Sequence, residues 1–132
     1  MIGVVVVTHG QLATELLNAA EMIVGDLPQF TAVSIGWHDE MNDARDEIAQ
    51  AVERVRGEEG VLILTDMFGG TPSNLGMTFL EKNRIEVITG VNLPMLIKLA
   101  ALRSPQDLLA VAREMREHGR NAIWVASDLL RS

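Results

Sequence analysis

Residues 2–10 read Ile-Gly-Val-Val-Val-Val-Thr-His-Gly, and this stretch indicates the fold of the whole chain. A continuous run of β-branched residues is typical of a strand that is covered on both faces, as in a parallel sheet. Similar stretches predict three further strands, at residues 30–35, 61–64 and 85–89. A last strand is predicted over residues 121–127.

Amphipathic helical patterns lie between these predicted strands. They predict helices over residues 12–23, 41–55 and 71 to about 82, a short helix that ends near residue 102, and another that starts at residues 104–105. Thr71 is the predicted N-cap of the third helix, and Pro72 is its predicted first residue.

The alternation of strands and helices predicts an α/β fold with one open, mostly parallel sheet and helices on both faces, because crossover connections are right-handed. A length of 132 residues fits one ordinary domain, so we expect residues 1–132 to form a single domain. Ligands of such sheets bind beyond the carboxyl ends of the strands, where the strand order reverses. The residues just after each strand are therefore the candidates for function.

The composition excludes several classes of protein. With 18 acidic and 11 basic residues the net charge is −7, which argues against nucleic acid or an anionic membrane surface as the main partner. The sequence has no cysteine, so it has no disulfides, thiolate nucleophiles or cysteine metal sites. No apolar run is long enough to cross a bilayer and Met1 lacks a basic signal-peptide flank, so we expect a soluble cytoplasmic protein.

His9 and Asp66 each follow a predicted strand of the sheet. If the two strands are neighbours, the carboxylate can accept a hydrogen bond from one ring nitrogen and leave the other nitrogen free as a nucleophile. The sequence therefore predicts a catalytic His9–Asp66 pair. Two plainer interpretations stay open, a histidine that only fills the turn and an aspartate that only ends a strand.

Small and hydroxyl-bearing residues surround this predicted pair. The glycines leave room for close approach of the backbone, and free N–H groups together with two hydroxyls form a nest that suits an anion. An anion attached to the imidazole is thus expected to meet a set of five residues: Gly10, Gly69, Gly70, Thr71 and Ser73.

Other kinds of active site fit the sequence less well. The glycine pair is not followed by the lysine of a nucleoside triphosphate site, and the G-x-G-x-x-G spacing of a dinucleotide site is absent. An aspartyl-phosphate receiver would want acidic metal ligands after the first strand, where Thr8 and His9 stand instead. A small hydrolase that uses Ser73 with His9 and Asp66 stays open, although the G-x-S-x-G motif is missing.

Three stretches carry a family resemblance. Residues 2–10 (IGVVVVTHG), 66–74 (DMFGGTPSN) and 90–95 (GVNLPM) resemble the A domain, or enzyme IIA, of the mannose/fructose/sorbose class of the bacterial phosphoenolpyruvate:sugar phosphotransferase system. The similarity covers essentially the whole chain, in order and at matching spacing.

The resemblance implies a phosphocarrier without a metal or another cofactor. His9 would take a phosphoryl group from the phosphohistidine of the carrier protein HPr and pass it to a histidine of a partner B component during sugar uptake. Asp66 would be the carboxylate that binds the active imidazole. The family fold also implies a homodimer that exchanges an antiparallel last strand, here residues 121–127.

Two further expectations concern the partners. Met67 and Phe68 are candidates for partner docking if they are exposed, although they can also fold inward and pack the loop. Many relatives of this class continue into a B domain, whereas this sequence ends at Ser132, so the acceptor is expected in trans. The alternative function is that of a stand-alone regulatory phosphocarrier whose phosphorylation controls a partner other than a permease.

Overall fold

The structure is a computed structural model that describes residues 1–102 and 107–130. The elements within these ranges follow one another in the order β1 (Gly3–His9), α1 (Leu12–Val24), β2 (Phe30–Ile35), α2 (Met41–Val55), β3 (Val61–Thr65), α3 (Thr71–Met77), β4 (Ile85–Thr89), α4 (Leu93–Ala100), α5 (Leu108–Asn121) and α6 (Ala126–Leu129).

The four strands form one sheet in the order β2-β1-β3-β4, and every neighbouring pair is parallel. The valine run lies in β1, between two other strands. Val4 and Val6 face one hydrophobic cluster, and Val5 and Val7 face the other. Burial of one such side chain contributes about 1.5–3 kcal/mol, which explains why all four positions are apolar. The predicted parallel sheet with two covered faces is confirmed.

Helices α1, α4 and α5 cover one face of the sheet, and α2 and α3 cover the other. The chain reaches β2 on one side of β1 and β3 on the other side. The strand order therefore reverses between β1 and β3, and the crevice of this fold lies where the carboxyl ends of these two strands meet.

Helix α3 differs from its prediction at both ends. It ends at Met77 instead of near residue 82, because the N–H groups of residues 78–80 bond three residues back in tight turns, and the hydroxyl of Thr78 also donates to the carbonyl of Leu75 at 2.6 Å. Thr71 is the first residue of the helix and not its N-cap.

The prediction of a last strand over residues 121–127 is wrong for the single chain. Helix α5 continues to Asn121, and residues 126 and 127 belong to α6. A strand needs a neighbour that takes up its N–H and C=O groups, and residues 122–125 pair with no strand in the part of the chain that the structure describes. The side chains of Ile123, Trp124 and Val125 are instead 76%, 63% and 66% exposed.

Two further points concern the remaining predictions. The predicted helix start at residues 104–105 lies outside the described residues, and α5 begins at Leu108 with Asp107 as its N-cap. Among the described helices, none has both the length and the apolar character that a membrane span requires.

Candidate functional site

The structure brings His9 and Asp66 together at the carboxyl ends of β1 and β3. Val7 is the register partner of Thr65, so the residues that follow them leave the sheet side by side. One carboxylate oxygen of Asp66, Oδ2, accepts two hydrogen bonds from His9. The Nδ1 atom donates at 2.8 Å and the backbone N–H donates at 3.0 Å.

This pairing decides which ring nitrogen of His9 can react. An ionised carboxylate only accepts hydrogen bonds, so Nδ1 carries the proton and Nε2 keeps its lone pair. The side chain of His9 is 52% exposed, whereas that of Asp66 is 13% exposed. The site thus presents a nucleophilic nitrogen to solvent and holds it from behind with a mostly buried carboxylate.

The environment of Asp66 acts on its pKa in two directions. Burial alone would raise the pKa of the carboxyl, but the hydrogen bonds from the ring and the backbone N–H of His9 outweigh burial and hold the pKa below its usual range. The second oxygen, Oδ1, is buried and has no hydrogen-bond partner among the described residues. Asp66 therefore stays ionised because of His9.

Gly70 lies beside the reactive edge of the imidazole. A Cβ atom at this position would stand 3.2 Å from Cε1 and 3.3 Å from Nε2 of His9. The backbone φ of Gly70 is +107°, a conformation that L side chains rarely adopt. A glycine at this position thus leaves open the space that an incoming group needs next to Nε2.

Two of the predicted anion-binding residues use their N–H groups elsewhere. The N–H of Gly10 donates to the carbonyl of Ile35 at 2.9 Å, and the N–H of Gly69 donates to Oγ of Ser73 at 2.9 Å. The N–H groups of Gly70 and Thr71 make no hydrogen bond to any residue that the structure describes.

Ser73 lies in the interior of the protein, since its exposure is 0%. Its hydroxyl accepts from the N–H of Gly69 and lies 3.4 Å from the carbonyl oxygen of Gly70, to which it donates. A buried hydroxyl engaged with the backbone is not available to a substrate. The geometry therefore argues against the hydrolase that the sequence left open.

Thr8 is a site residue that the sequence analysis missed. It is fully buried, and its hydroxyl accepts from the N–H of Ala13 in the first turn of α1 at 2.7 Å. This bond fixes the turn that follows His9 and so helps to orient the imidazole. A threonine directly before a strand-exit histidine was the available signal, because threonine hydroxyls commonly satisfy the first N–H groups of a helix.

Exposed apolar side chains lie at the same edge of the sheet as His9. The loop after β3 carries Met67 and Phe68, which are 54% and 73% exposed and do not fold inward. The first residues of α1 and α2, Leu12 and Met41, are 46% and 52% exposed, and Trp37 in the loop after β2 is 98% exposed. We call these five residues the apolar rim. Its members outside the loop after β3 were not predicted.

Within residues 1–102 and 107–130, no three or more His, Cys, Asp or Glu side chains are grouped as metal ligands would be. The arrangement offers instead an imidazole nucleophile, a carboxylate that can balance positive charge on the ring, and open space at Nε2. This combination suits the covalent capture and release of an electrophilic group.

Comparison with known proteins gives the chain relatives along nearly its full length. The sequence model of a family described as "PTS system fructose IIA component" matches residues 3–115. The fructose-specific EIIA component of the PTS of Bacillus subtilis (strain 168) is 30% identical over 131 residues, which are 98% of this chain and 90% of that protein. The mannose-specific EIIAB component of the PTS of Escherichia coli (strain K12) is 33% identical over 134 residues, 92% of this chain but 39% of that longer protein.

A solved structure agrees with the sequence relatives. The mannose/sorbose-specific IIA subunit of the phosphotransferase system from Enterococcus faecalis superposes with a TM-score of 0.83 at 27% identity and covers 94% of this chain and 93% of its own. The resemblance noted in the sequence is thereby confirmed. The chain belongs to the family of mannose/fructose/sorbose-class IIA components of the phosphoenolpyruvate:sugar phosphotransferase system (PTS).

Proposed function

We propose that this IIA component accepts a phosphoryl group on Nε2 of His9 from phospho-HPr and transfers it to a histidine of a B component in trans. The observation that carries the proposal is the orientation of His9, whose Nδ1 is held by Asp66 at 2.8 Å while Nε2 stays open beside Gly70. Membership in the PTS IIA family supports a phosphocarrier role. We further propose that residues 1–132 act as one A domain in the cytoplasm.

The bond making and breaking of the transfer step involve the imidazole of His9, assisted by the carboxylate of Asp66. The lone pair of Nε2 attacks phosphorus in line with the donor histidine, a new N–P bond forms, and the old N–P bond breaks with its electron pair returning to the donor ring. The His9 ring then carries a positive charge that is shared between its two nitrogens. Asp66 balances this charge through the Nδ1 proton, and the reverse sequence delivers the group to the acceptor.

The phosphoryl oxygens require hydrogen-bond donors next to Nε2. The free N–H groups of Gly70 and Thr71 and the hydroxyl of Thr71 are the donors that we propose for them. Gly10 and Gly69 contribute backbone shape to this seat, because their own N–H groups are already bonded. Loop amides stabilise an anion without binding it too tightly for onward transfer.

The apolar rim is the proposed docking surface for both partners, because any protein that reaches Nε2 must cover it. The four segments at this edge, residues 9–12, 36–43, 66–71 and 90–93, contain no lysine or arginine. Asp39, Glu40 and Asp43 lie in the segment that follows β2. We therefore expect partner surfaces that present apolar side chains flanked by basic residues.

A homodimer is also part of the proposal. Residues 122–125 carry three exposed apolar side chains and lie between two helices without a strand partner among the described residues. Apolar and β-branched residues suit strand pairing with a second copy of the chain, and exchange of residues 121–127 would supply the missing strand.

The test is enzymatic phosphorylation of the purified protein with phosphoenolpyruvate, enzyme I and HPr. The wild type should gain one acid-labile, base-stable phosphoryl group, and His9→Ala should gain none. His38→Ala is the matched control, because His38 is exposed in the loop after β2 at the same edge. Labelling that persists in His9→Ala, or that disappears in His38→Ala, would overturn the assignment.

A further inference from the structure

Backbone hydrogen bonds hold only one end of the segment next to Nε2 of His9: the carbonyl of Gly70 accepts from the N–H of Asn74 at 3.0 Å, whereas the N–H of Gly69 donates to no backbone group among the described residues. Gly69 and Gly70 have φ values of +83° and +107°, and neither has a side chain to anchor it. Glycine pays a large entropic cost for a fixed conformation, because it has more accessible states than any other residue. Something outside the glycine pair must therefore fix it beside the imidazole.

Ser73 makes the contacts that can do so. It is the third residue of α3, and its hydroxyl bonds to both glycines at once, accepting from the N–H of Gly69 at 2.9 Å and donating to the carbonyl of Gly70 at 3.4 Å. The arrangement is similar to a capping box, in which a side chain in the first helical turn reaches back to an N–H that precedes the helix. Gly70, the N-cap, has no side chain that can play this part.

The two bonds also have a consequence for the backbone near His9. The N–H of Gly69 belongs to the Phe68–Gly69 peptide and the carbonyl of Gly70 to the Gly70–Thr71 peptide, so the Ser73 hydroxyl binds the peptides on both sides of the glycine pair. If the Phe68–Gly69 peptide turns away, an N–H donor and a buried hydroxyl lose their partner. The two bonds thus hold in place the α-carbon of Gly70, which borders Cε1 and Nε2 of His9.

We propose that Ser73 is a positioning residue for phosphoryl transfer, which fixes the Gly69–Gly70 backbone against the Nε2 edge of His9 without touching the phosphoryl group. This inference rests on the proposed function and adds a role for a residue that the sequence had placed among the direct phosphoryl ligands. Both the hydrogen bond between Gly69 and Ser73 and the rate of phosphoryl transfer can be measured separately.

The experiment compares Ser73→Ala with Thr78→Ala. Thr78 is the matched control, because its hydroxyl also bonds to the backbone of α3, at the carbonyl of Leu75, but at the other end of the helix. We expect Ser73→Ala to lower the single-turnover rate at saturating phospho-HPr roughly tenfold, because the donors beside Nε2 are then less well positioned for the transition state. KM should not change, since the apolar rim is intact, and Thr78→Ala should keep the wild-type rate.

Deuterium exchange of the Gly69 amide, followed by NMR, tests the hydrogen bond itself. Exchange should be slow in the wild type and in Thr78→Ala and faster in Ser73→Ala. Fast exchange of Gly69 in the wild type would overturn the inference even if Ser73→Ala fails to fold. A folded Ser73→Ala variant with the wild-type rate, or an equal loss of rate in Thr78→Ala, would also overturn it. A wild type that takes no phosphoryl group on His9 would refute the proposed function instead, and these results are distinguishable.

Discussion

At the scale of single residues, Asp66 gives the two ring nitrogens of His9 different roles: Nδ1 binds the carboxylate, and Nε2 is left as the proposed nucleophile. The carboxylate binds the ring through Nδ1 and the backbone through the N–H of the same residue, so both the tautomer and the direction of the ring are fixed. The same contacts hold the pKa of Asp66 below its usual range against the effect of burial. The contacts between Asp66 and His9 therefore both orient the imidazole ring and keep the carboxylate ionised.

Asp66→Asn should keep the fold but slow phosphoryl transfer from phospho-HPr. The amide preserves the shape of the side chain, but it no longer balances the positive charge that develops on the ring. The loss of one charge-assisted hydrogen bond predicts a rate that is roughly 10- to 100-fold lower. Rapid-quench measurement of phospho-His9 formation checks this prediction. Equal rates for variant and wild type would show that the carboxylate does not contribute to the rate of transfer.

The same variant gives a prediction for stability against pH. Because folding lowers the pKa of Asp66, its ionised form stabilises the protein above the ordinary aspartate pKa of about 3.9, and this contribution is lost as the pH falls through the lower pKa of the folded state. The difference in free energy of unfolding between wild type and Asp66→Asn should therefore narrow below about pH 4. Urea denaturation across this range measures it, and a constant difference would contradict the assigned pKa direction.

At the scale of secondary-structure elements, Asn92 connects the start of α4 to the end of α5. Its Oδ1 accepts from the N–H of Met95 at 3.1 Å as an N-cap, and its Nδ2 donates to the carbonyl of Gly119 at 2.9 Å. A Cβ atom at Gly119 would stand 2.9 Å from Cε of Met95, so the two helices approach closely here. This contact holds the end of α5 against the start of α4.

Asn92→Ala should lower the free energy of unfolding by about 1–2 kcal/mol, because it removes a helix cap and a bond between helices. Asn42→Ala is the control, since Asn42 is exposed near the start of α2 and makes no side-chain hydrogen bond to any described residue. Urea denaturation of both variants measures the change. If the two variants had the same free energy of unfolding, the hydrogen bonds of Asn92 would not stabilise the protein.

The strands were predictable from the sequence, and the end of the chain was not. Val4 to Val7 must form a strand covered on both faces, because β-branched residues without polar alternation fit no other common element. The pattern at residues 121–127 is also largely apolar, but whether it pairs depends on a neighbouring strand, and the described residues of the single chain offer none. The early end of α3 lies in a run of i→i−3 backbone hydrogen bonds from the N–H groups of residues 78–80, and apolar periodicity does not register this change.

At the scale of the whole molecule, the edge of the sheet that carries His9, the proposed active edge, combines exposed apolar side chains with acidic ones. The apolar rim lies on the loops and helix starts that follow β1, β2 and β3, at the same edge as His9. Asp39 and Glu40 follow Trp37 and His38, and the four segments at this edge contain no lysine or arginine. We therefore expect charge to steer the association of a basic partner and apolar contacts to complete it.

Trp37→Ala should raise KM for phospho-HPr about tenfold without a change in the rate at saturation, because aromatic anchors carry a large share of interface energy. Met22→Ala is the control, since Met22 is 88% exposed but lies near the end of α1, away from the active edge. Steady-state phosphorylation kinetics separate the two parameters. If Trp37→Ala kept the wild-type KM, the loop after β2 would not be part of the docking surface.

The candidate site was predictable as a set of residues but not as a set of contacts. Residues that follow neighbouring parallel strands must meet, which is why His9 and Asp66 stood out in the sequence. Whether the N–H of Gly10 or of Gly69 is free depends on Ile35 and Ser73, and these contacts exist only once the loops are folded. Likewise, the burial of Ser73 follows from how α3 packs on the sheet and not from its place in the loop.

The most direct test of the account is NMR of the phosphorylated protein with 15N-labelled histidine, which identifies the nitrogen that is bonded to phosphorus. We expect a phosphorus coupling at Nε2 of His9, with Nδ1 still carrying the proton that it donates to Asp66. A coupling at Nδ1 of His9, or at a ring nitrogen of His38 or His118, would contradict it.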